Sequence, residues 1–168
     1  KDSRRYQFEK RLYQRQCARL APRVDKLYAE VLDTLDVAAF TDTFRKYWSP
    51  FPTAEAPKFL NLDLWFREAV TRYVWPGFDE LPKPSRFLDL GCGTGYFLAV
   101  CRHEGHRVLG LDLDTEPLYN DMVKYFDLER IVHRIEPGRP LPELGSRFDV
   151  ITAYMTCFNW HADVTPWS

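Results

Sequence analysis

Hydrophobic and polar positions follow two rhythms along this chain, and the change falls near Arg86. Before it, long apolar and aromatic residues recur at helical spacing among charged ones, and no glycine occurs ahead of Gly77, a composition that favours helix over strand or tight turn. The spacing predicts helices at about residues 3–20 and 23–36, with Pro22 opening the second, where a missing amide is tolerated. A third helical piece, VAAFTDTFRKYW, runs into SPFPTAEAP, whose prolines break helix and predict an extended connection. The segment KFLNLDLWFREAVTRYVW then places Leu62, Trp65, Phe66, Ala69 and Tyr73 on one broad helical face, and PGFDELPKPS ends it.

After Arg86 short apolar runs alternate with helical windows, the pattern of a parallel sheet with crossover helices. Strands are predicted at about residues 86–90 (RFLDL), 107–111 (RVLGL), 130–135 (RIVHRI) and 148–154 (FDVITAY), and helices at about 96–104 and 115–127. Right-handed crossovers make the first strand central, with the second and third stepping outward on one side. A fourth strand on the other side completes the order 3-2-1-4 and opens a switch point beside the first strand, where open α/β sheets bind ligands. The expected fold is thus α/β and Rossmann-like, with residues 1–80 as a helical extension or lid and 81–168 as the ligand-binding core.

The switch point coincides with FLDLGCGTGYF, residues 87–97. A glycine-rich turn between strand and helix lets backbone approach a ligand closely. The dinucleotide fingerprint G-x-G-x-x-G needs its third glycine where this chain has Tyr96, and Gly95 comes one residue early. No lysine follows the glycines as a triphosphate-binding loop requires. Asp89, two residues before Gly91, would repel a pyrophosphate but suits a cationic amine. In RVLGLDLD, Asp112 follows Gly91 by 21 residues, a spacing that suits a carboxylate accepting ribose hydroxyls. A ligand with a ribose and an amine but no phosphate fits these features, and S-adenosylmethionine has both.

FLDLGCGTGYF followed by VLGLDLD resembles motif I and the second acidic motif of the class I S-adenosylmethionine-dependent methyltransferases, here of a bacterial small-molecule type. The resemblance covers roughly residues 85–155, about half the chain. It implies that Asp89 and the backbone of Gly91, Cys92, Gly93 and Gly95 line the amino-acid end of the cofactor, that Asp112 holds the ribose, and that Leu113 lies beside the adenine. Glu136, in RIEPGRPLPELGSRFDVITA, falls near the place where the family meets the adenine amino group, although one extra residue precedes Leu141 and Pro142. The loop AYMTCFNWHADVTPWS would face the methyl group, with Tyr154 and His161 as catalytic candidates and Asp163 as a further acid or base. It lacks the Pro-Pro-aromatic motif of amino-directed DNA methyltransferases, and Cys157 follows Thr156 rather than the proline of cytosine C5 enzymes. Aromatic residues of the extension, Tyr47, Trp48, Phe51 and Phe59, are expected to help shape the acceptor site. A complete core of this family has seven strands, whereas this sequence stops shortly after the fourth, so a piece of a longer chain lacking the C-terminal strands is expected.

Composition narrows this further. The chain has 168 residues, enough for one domain, and 23 Lys and Arg against 24 Asp and Glu give no global attraction to nucleic acid or an acidic membrane. Charge is uneven in the first helix, with nine Lys or Arg against three acids from Lys1 to Lys26. This reads as a solvated face, with Tyr6, Leu12, Tyr13, Leu20 and Leu27 docking on the body. The four cysteines, Cys17, Cys92, Cys101 and Cys157, have no metal-site or disulfide spacing and suit a reducing cytoplasm; no metal is expected. No run is apolar enough to cross a bilayer. The expected partner is a small-molecule methyl acceptor, not nucleic acid or membrane. The rival readings are a cofactor-binding module without turnover and, more weakly, a nicotinamide-dependent oxidoreductase.

Overall fold

The computed structural model describes residues 3–48, 56–136 and 138–155. Helices α1 (Ser3–Asp33), α2 (Val37–Phe44) and α3 (Leu62–Val74) precede a sheet of four strands. These are β1 (Arg86–Leu90), β2 (Arg107–Asp112), β3 (Arg130–Val132) and β4 (Val150–Thr152), with α4 (Tyr96–His103) and α5 (Pro117–Tyr125) as crossovers. All pairings are parallel and the order is β3-β2-β1-β4, as expected. Two short 3-10 segments, Arg45–Tyr47 and Ala56–Leu60, flank the undescribed residues between α2 and α3. The helix predicted across residues 58–75 begins only at Leu62, because the Asn61 side chain accepts from the Leu64 amide and caps it there.

The expected break at Pro22 does not occur: α1 is one helix with Pro22 inside it. Proline costs an interior helix about 3 kcal/mol. Pro22 lies on the exposed side of α1, while Val24, Leu27, Tyr28 and Val31, immediately after it, are buried. Packing of that face against α3, with the Arg67 guanidinium 4.4 Å from the Tyr28 ring centroid, outweighs the local penalty. The first half of α1 also departs from expectation. Leu27 docks as predicted, but Tyr6, Leu12 and Tyr13 are exposed, because α3 ends at Val74 and offers this stretch little more than Trp75, whose ring lies 5.3 Å from that of Tyr13.

Strands β3 and β4 are shorter than predicted. β2 ends at Asp112, paired with Val132, so His133 makes one more bond to the Asp112 carbonyl and residues 134–135 have no strand to extend along. β1 ends at Leu90, since the Gly91 amide turns to the Leu111 carbonyl at 2.7 Å, and β4 beyond Thr152 is likewise left without a partner.

Successive side chains of β1 point to opposite faces. Phe87 enters a continuous core made with α1, α2, α3, α4 and α5, while Leu88 joins a small cluster with Leu109 and Leu111 on the other face. At the lower edge of the sheet the Ser85 amide donates to Nδ1 of His106 at 3.2 Å. Nδ1 is therefore unprotonated, and Nε2 carries the hydrogen that bonds the Tyr73 hydroxyl at 2.7 Å. Burial, and then the charge of Lys83, hold the His106 pKa below its usual 6.5. This buried link ties α3 to the sheet.

Candidate functional site

The site is built at the upper ends of β1 and β2. After Leu90 the chain turns through Gly91, Gly93 and Gly95, whose φ angles of 73°, 52° and 81° lie in the left-handed region. Gly95 also caps α4, and a Cβ there would sit 2.5 Å from Leu128 Cδ1, so neither the backbone nor the packing leaves room for a side chain. Cys92 turns inward against Gly110, where a Cβ would lie 2.6 Å from its sulfur. Burial pushes the Cys92 thiol far above its usual range, so it is a neutral packing group and only its backbone faces the loop.

Asp112 joins the strand tip to the glycine turn: Oδ2 accepts from the Gly93 amide at 2.5 Å and Oδ1 from the Leu113 amide at 2.7 Å. Leu113 follows, half-buried. The Tyr119 ring of α5 stands 3.9 Å from where a Gly93 Cβ would be, and packs edge-on against Phe59.

Asp89 shares the helical face of β1 with Phe87 and is only 3% exposed. Opposite it in the register stands Thr152, whose hydroxyl donates to Asp89 Oδ1 at 2.7 Å. Burial raises the Asp89 pKa to about 6, with Thr152 and Arg72 opposing the rise and Asp112 adding to it. Two residues beyond Thr152, Tyr154 lies edge-on to Phe97 of α4, at 5.1 Å between centroids. Its hydroxyl donates to the Arg72 carbonyl at 3.2 Å, and the Arg72 guanidinium sits 5.1 Å above its ring. Burial, followed by the charge of Asp89, raises the Tyr154 pKa, so the phenol is protonated at neutral pH and engaged as a donor.

The structure therefore brings together Asp89, Gly91, Cys92, Gly93, Gly95, Asp112 and Leu113, with Tyr154 at the β4 end. Glu136 lies in the loop after β3 and pairs with Arg139 at 3.0 Å. His161, Asp163, Cys157 and Phe51 lie outside the described residues. Of the other aromatic residues, Tyr47 donates to Asp121 at 2.7 Å, and Trp48 is exposed at the lip of a mainly apolar groove of about 560 Å³ between α2, Ala56–Leu60 and α3. Phe59 belongs to the same turn, which is anchored to α4 by the Tyr96 hydroxyl donating to the Phe59 carbonyl at 2.6 Å. The sequence reading missed Thr152, Arg72 and Tyr119 as neighbours of the site. Thr152 was within reach, since aligning the fourth strand on the first sets it opposite Asp89; nothing local marks Arg72. Among the described residues there is no group of three or more potential metal ligands and no helix long and apolar enough to cross a membrane.

A Rossmann-like sheet of order 3-2-1-4 with a three-glycine turn and an acid at each of two adjacent strand ends defines the class I methyltransferase architecture. The chain belongs to the methyltransferase domain family, whose match spans residues 61–161. Over 82 residues it is 38% identical to malonyl-[acyl-carrier protein] O-methyltransferase of Hamiltonella defensa, covering 49% of this chain and 30% of that protein. It is 28% identical over 81 residues to the putative methyltransferase YqeM of Bacillus subtilis, covering 48% and 33%. A 74-residue stretch is 30% identical to part of a leucine–tRNA ligase of Ignicoccus hospitalis, 43% of this chain and 7% of that one. The matched stretch spans about a third of the length of the two methyltransferase relatives.

Proposed function

We infer that this chain is the cofactor-binding part of an S-adenosylmethionine-dependent methyltransferase acting on a small-molecule acceptor. The observation that carries the reading is a buried carboxylate, Asp89, beside a turn whose glycines leave the backbone bare, with Asp112 at the neighbouring strand tip. Asp112 takes the ribose hydroxyls, Asp89 the cationic amine, and the backbone of residues 91–95 the space between. Leu113 lies against the adenine, and Glu136 meets its amino group on leaving Arg139. The bound cofactor supplies a methyl group on a sulfonium sulfur, an already activated leaving group, so the protein's task is alignment and exclusion of water.

Tyr154 forms one wall of that space and positions the acceptor side rather than taking a proton, because its hydroxyl is held by the Arg72 carbonyl. This favours an acceptor that is nucleophilic without a base, such as a carboxylate oxygen; the O-methyltransferase name of the relative from Hamiltonella defensa supports the same atom. His161→Ala then leaves kcat unchanged. The helical extension acts as a lid through Phe59 and Arg72. A cytoplasmic setting suits the free thiols Cys17, Cys92 and Cys101.

Calorimetry with S-adenosylhomocysteine and NAD tests the cofactor. Binding of the first and not the second is expected, and the reverse overturns the reading in favour of an oxidoreductase. Release of S-adenosylhomocysteine on mixing the chain with S-adenosylmethionine and a metabolite extract separates an enzyme from a binding module.

A further inference from the structure

The first half of α1 carries a face that the body of the molecule does not use. Tyr13, Leu20, Val24, Leu27 and Val31 recur at helical spacing and define the docked face, which is buried from Val24 onward. Phe8, Leu12, Arg15 and Arg19 follow the same spacing, i, i+4, i+7 and i+11, on a different side of the helix. Arg11 flanks them, one turn before Arg15. All five are exposed, Phe8 at 63% and Leu12 at 48%.

The cations of this face are also unpaired. Among the described residues no ion pair reaches Arg11, Arg15 or Arg19, whereas around the docked half Arg23 pairs with Asp79, Lys26 with Glu30 and Arg67 with Asp25. Arg11, Arg15 and Arg19 stand on successive turns, and like charges at i and i+4 weaken a helix. The face thus combines two unsatisfied demands: apolar surface left in water, and a row of repelling charges about 6 Å apart along the axis.

A partner that meets both demands must supply apolar surface and anions together. A nucleic acid strand neutralises arginines with phosphates but offers Leu12 no apolar surface. A helix lying in a bilayer interface carries its apolar and basic residues on opposite faces, and here they are interleaved on one. An acidic amphipathic helix has the matching pattern, an apolar row flanked by carboxylates one turn apart, and the planar arginine fork takes a carboxylate through two parallel hydrogen bonds. We propose that Phe8, Arg11, Leu12, Arg15 and Arg19 form a docking surface for an acidic amphipathic helix of a partner protein. Phe8 and Leu12 pack on its apolar row, and the three arginines pair with its Asp and Glu. The proposal stands whichever cofactor the sheet binds.

The test measures binding of four probes to the 168-residue chain by surface plasmon resonance. The probes are a synthetic helical peptide with leucines along one face and glutamates at i, i+4 beside them, a peptide of the same composition in shuffled order, poly-uridine RNA, and vesicles of phosphatidylcholine with phosphatidylserine. The amphipathic peptide is expected to bind about 10-fold or more tighter than the shuffled one. Replacing the three arginines together (Arg11→Gln, Arg15→Gln, Arg19→Gln) is expected to weaken it about 10-fold, mainly by slowing association, with an effect that shrinks as salt is raised. Phe8→Ser with Leu12→Ser is expected to weaken it by a similar factor through faster dissociation, with association nearly unchanged. The urea midpoint of both variants should stay at or above that of the unsubstituted chain, since the substituted side chains are exposed. Equal binding of the two peptides, or no loss in either variant, overturns the proposal. So does tighter binding of the RNA or of the vesicles than of the amphipathic peptide, which would assign the face to a nucleic acid or to a membrane surface. A concentration-dependent dimer of the chain that both variants abolish would assign it to a second copy and overturn the proposal as well.

Discussion

The two faces of the sheet are built to different depths. On one, Phe87 is fully buried in a core that runs without interruption from α1 to α5, and the same face carries Asp89, Thr152 and Tyr154. On the other, Leu88, Leu109 and Leu111 are covered mainly by Ile135, Leu144 and Phe148 from the loop between β3 and β4, and Ile151 is 61% exposed. Among the described residues, the candidate side chains Asp89 and Tyr154 lie on the first of these faces. A carboxylate kept ionised in an apolar setting is costly, and only a rigid, densely packed face can hold it in one position for a ligand.

The largest expected break in this contrast is Phe87→Ala. Removing a fully buried aromatic from the thick face should cost about 3–5 kcal/mol, read as a fall in the midpoint of urea unfolding. A cost below about 1 kcal/mol would mean that the helical side is not one core.

Asp89→Asn should act in the opposite direction on stability while removing function. Its folded pKa of about 6 lies above the ordinary 3.8, so the folded state binds the proton more tightly than the unfolded one, and stability falls as pH rises from 3.8 through 6. At pH 7.5 the substitution is therefore expected to stabilise the ligand-free chain by about 1–3 kcal/mol and to weaken S-adenosylmethionine binding. Affinity in the unsubstituted chain should likewise fall as pH drops through about 6. A destabilised Asp89→Asn chain with unchanged affinity would remove Asp89 from the site.

His106 carries the reverse pH sign at the other end of the same face. Its pKa is depressed below 6.5, so the unfolded chain binds the proton more tightly; the link to Tyr73 and Ser85 is intact above pH 6.5 and its contribution is lost as pH falls through the folded value. In the Asp89→Asn chain, which removes the opposing contribution of Asp89, urea unfolding from pH 7.5 to 5.5 should show that loss, and adding His106→Gln should flatten the profile. The smallest effect is expected on the thin face: Ile151→Ser should change stability by no more than about 0.5 kcal/mol, and a larger loss would show that face to be packed after all.

The site was legible to different depths at different residues. That Asp89, Gly91, Gly93, Gly95 and Asp112 meet at neighbouring strand ends was legible because the signal is local: a strand, a turn that only glycine makes easily, and an acid at the next strand tip. The chain order of the elements and right-handed crossovers led to the sheet order for the same reason. Tyr154 was placed at the right strand end, but that its hydroxyl would be tied to Arg72 depends on how α3 lies across the sheet. Pro22 misled for a related reason: helix propensity is a local cost of a few kcal/mol, and the docked face of α1 is a non-local gain that exceeds it.

By itself, then, the amino-acid sequence determined the Rossmann-like alternation, the glycine turn and the two acids at adjacent strand ends, since each follows from residues within a few positions of one another. Only the tertiary structure decided that Thr152 joins Asp89, that Tyr154 is tied to Arg72, and that α1 passes through Pro22 unbroken. These depend on contacts between residues far apart in the chain, such as Thr152 with Asp89 and Tyr154 with Arg72, where packing and burial rather than local preference set the outcome.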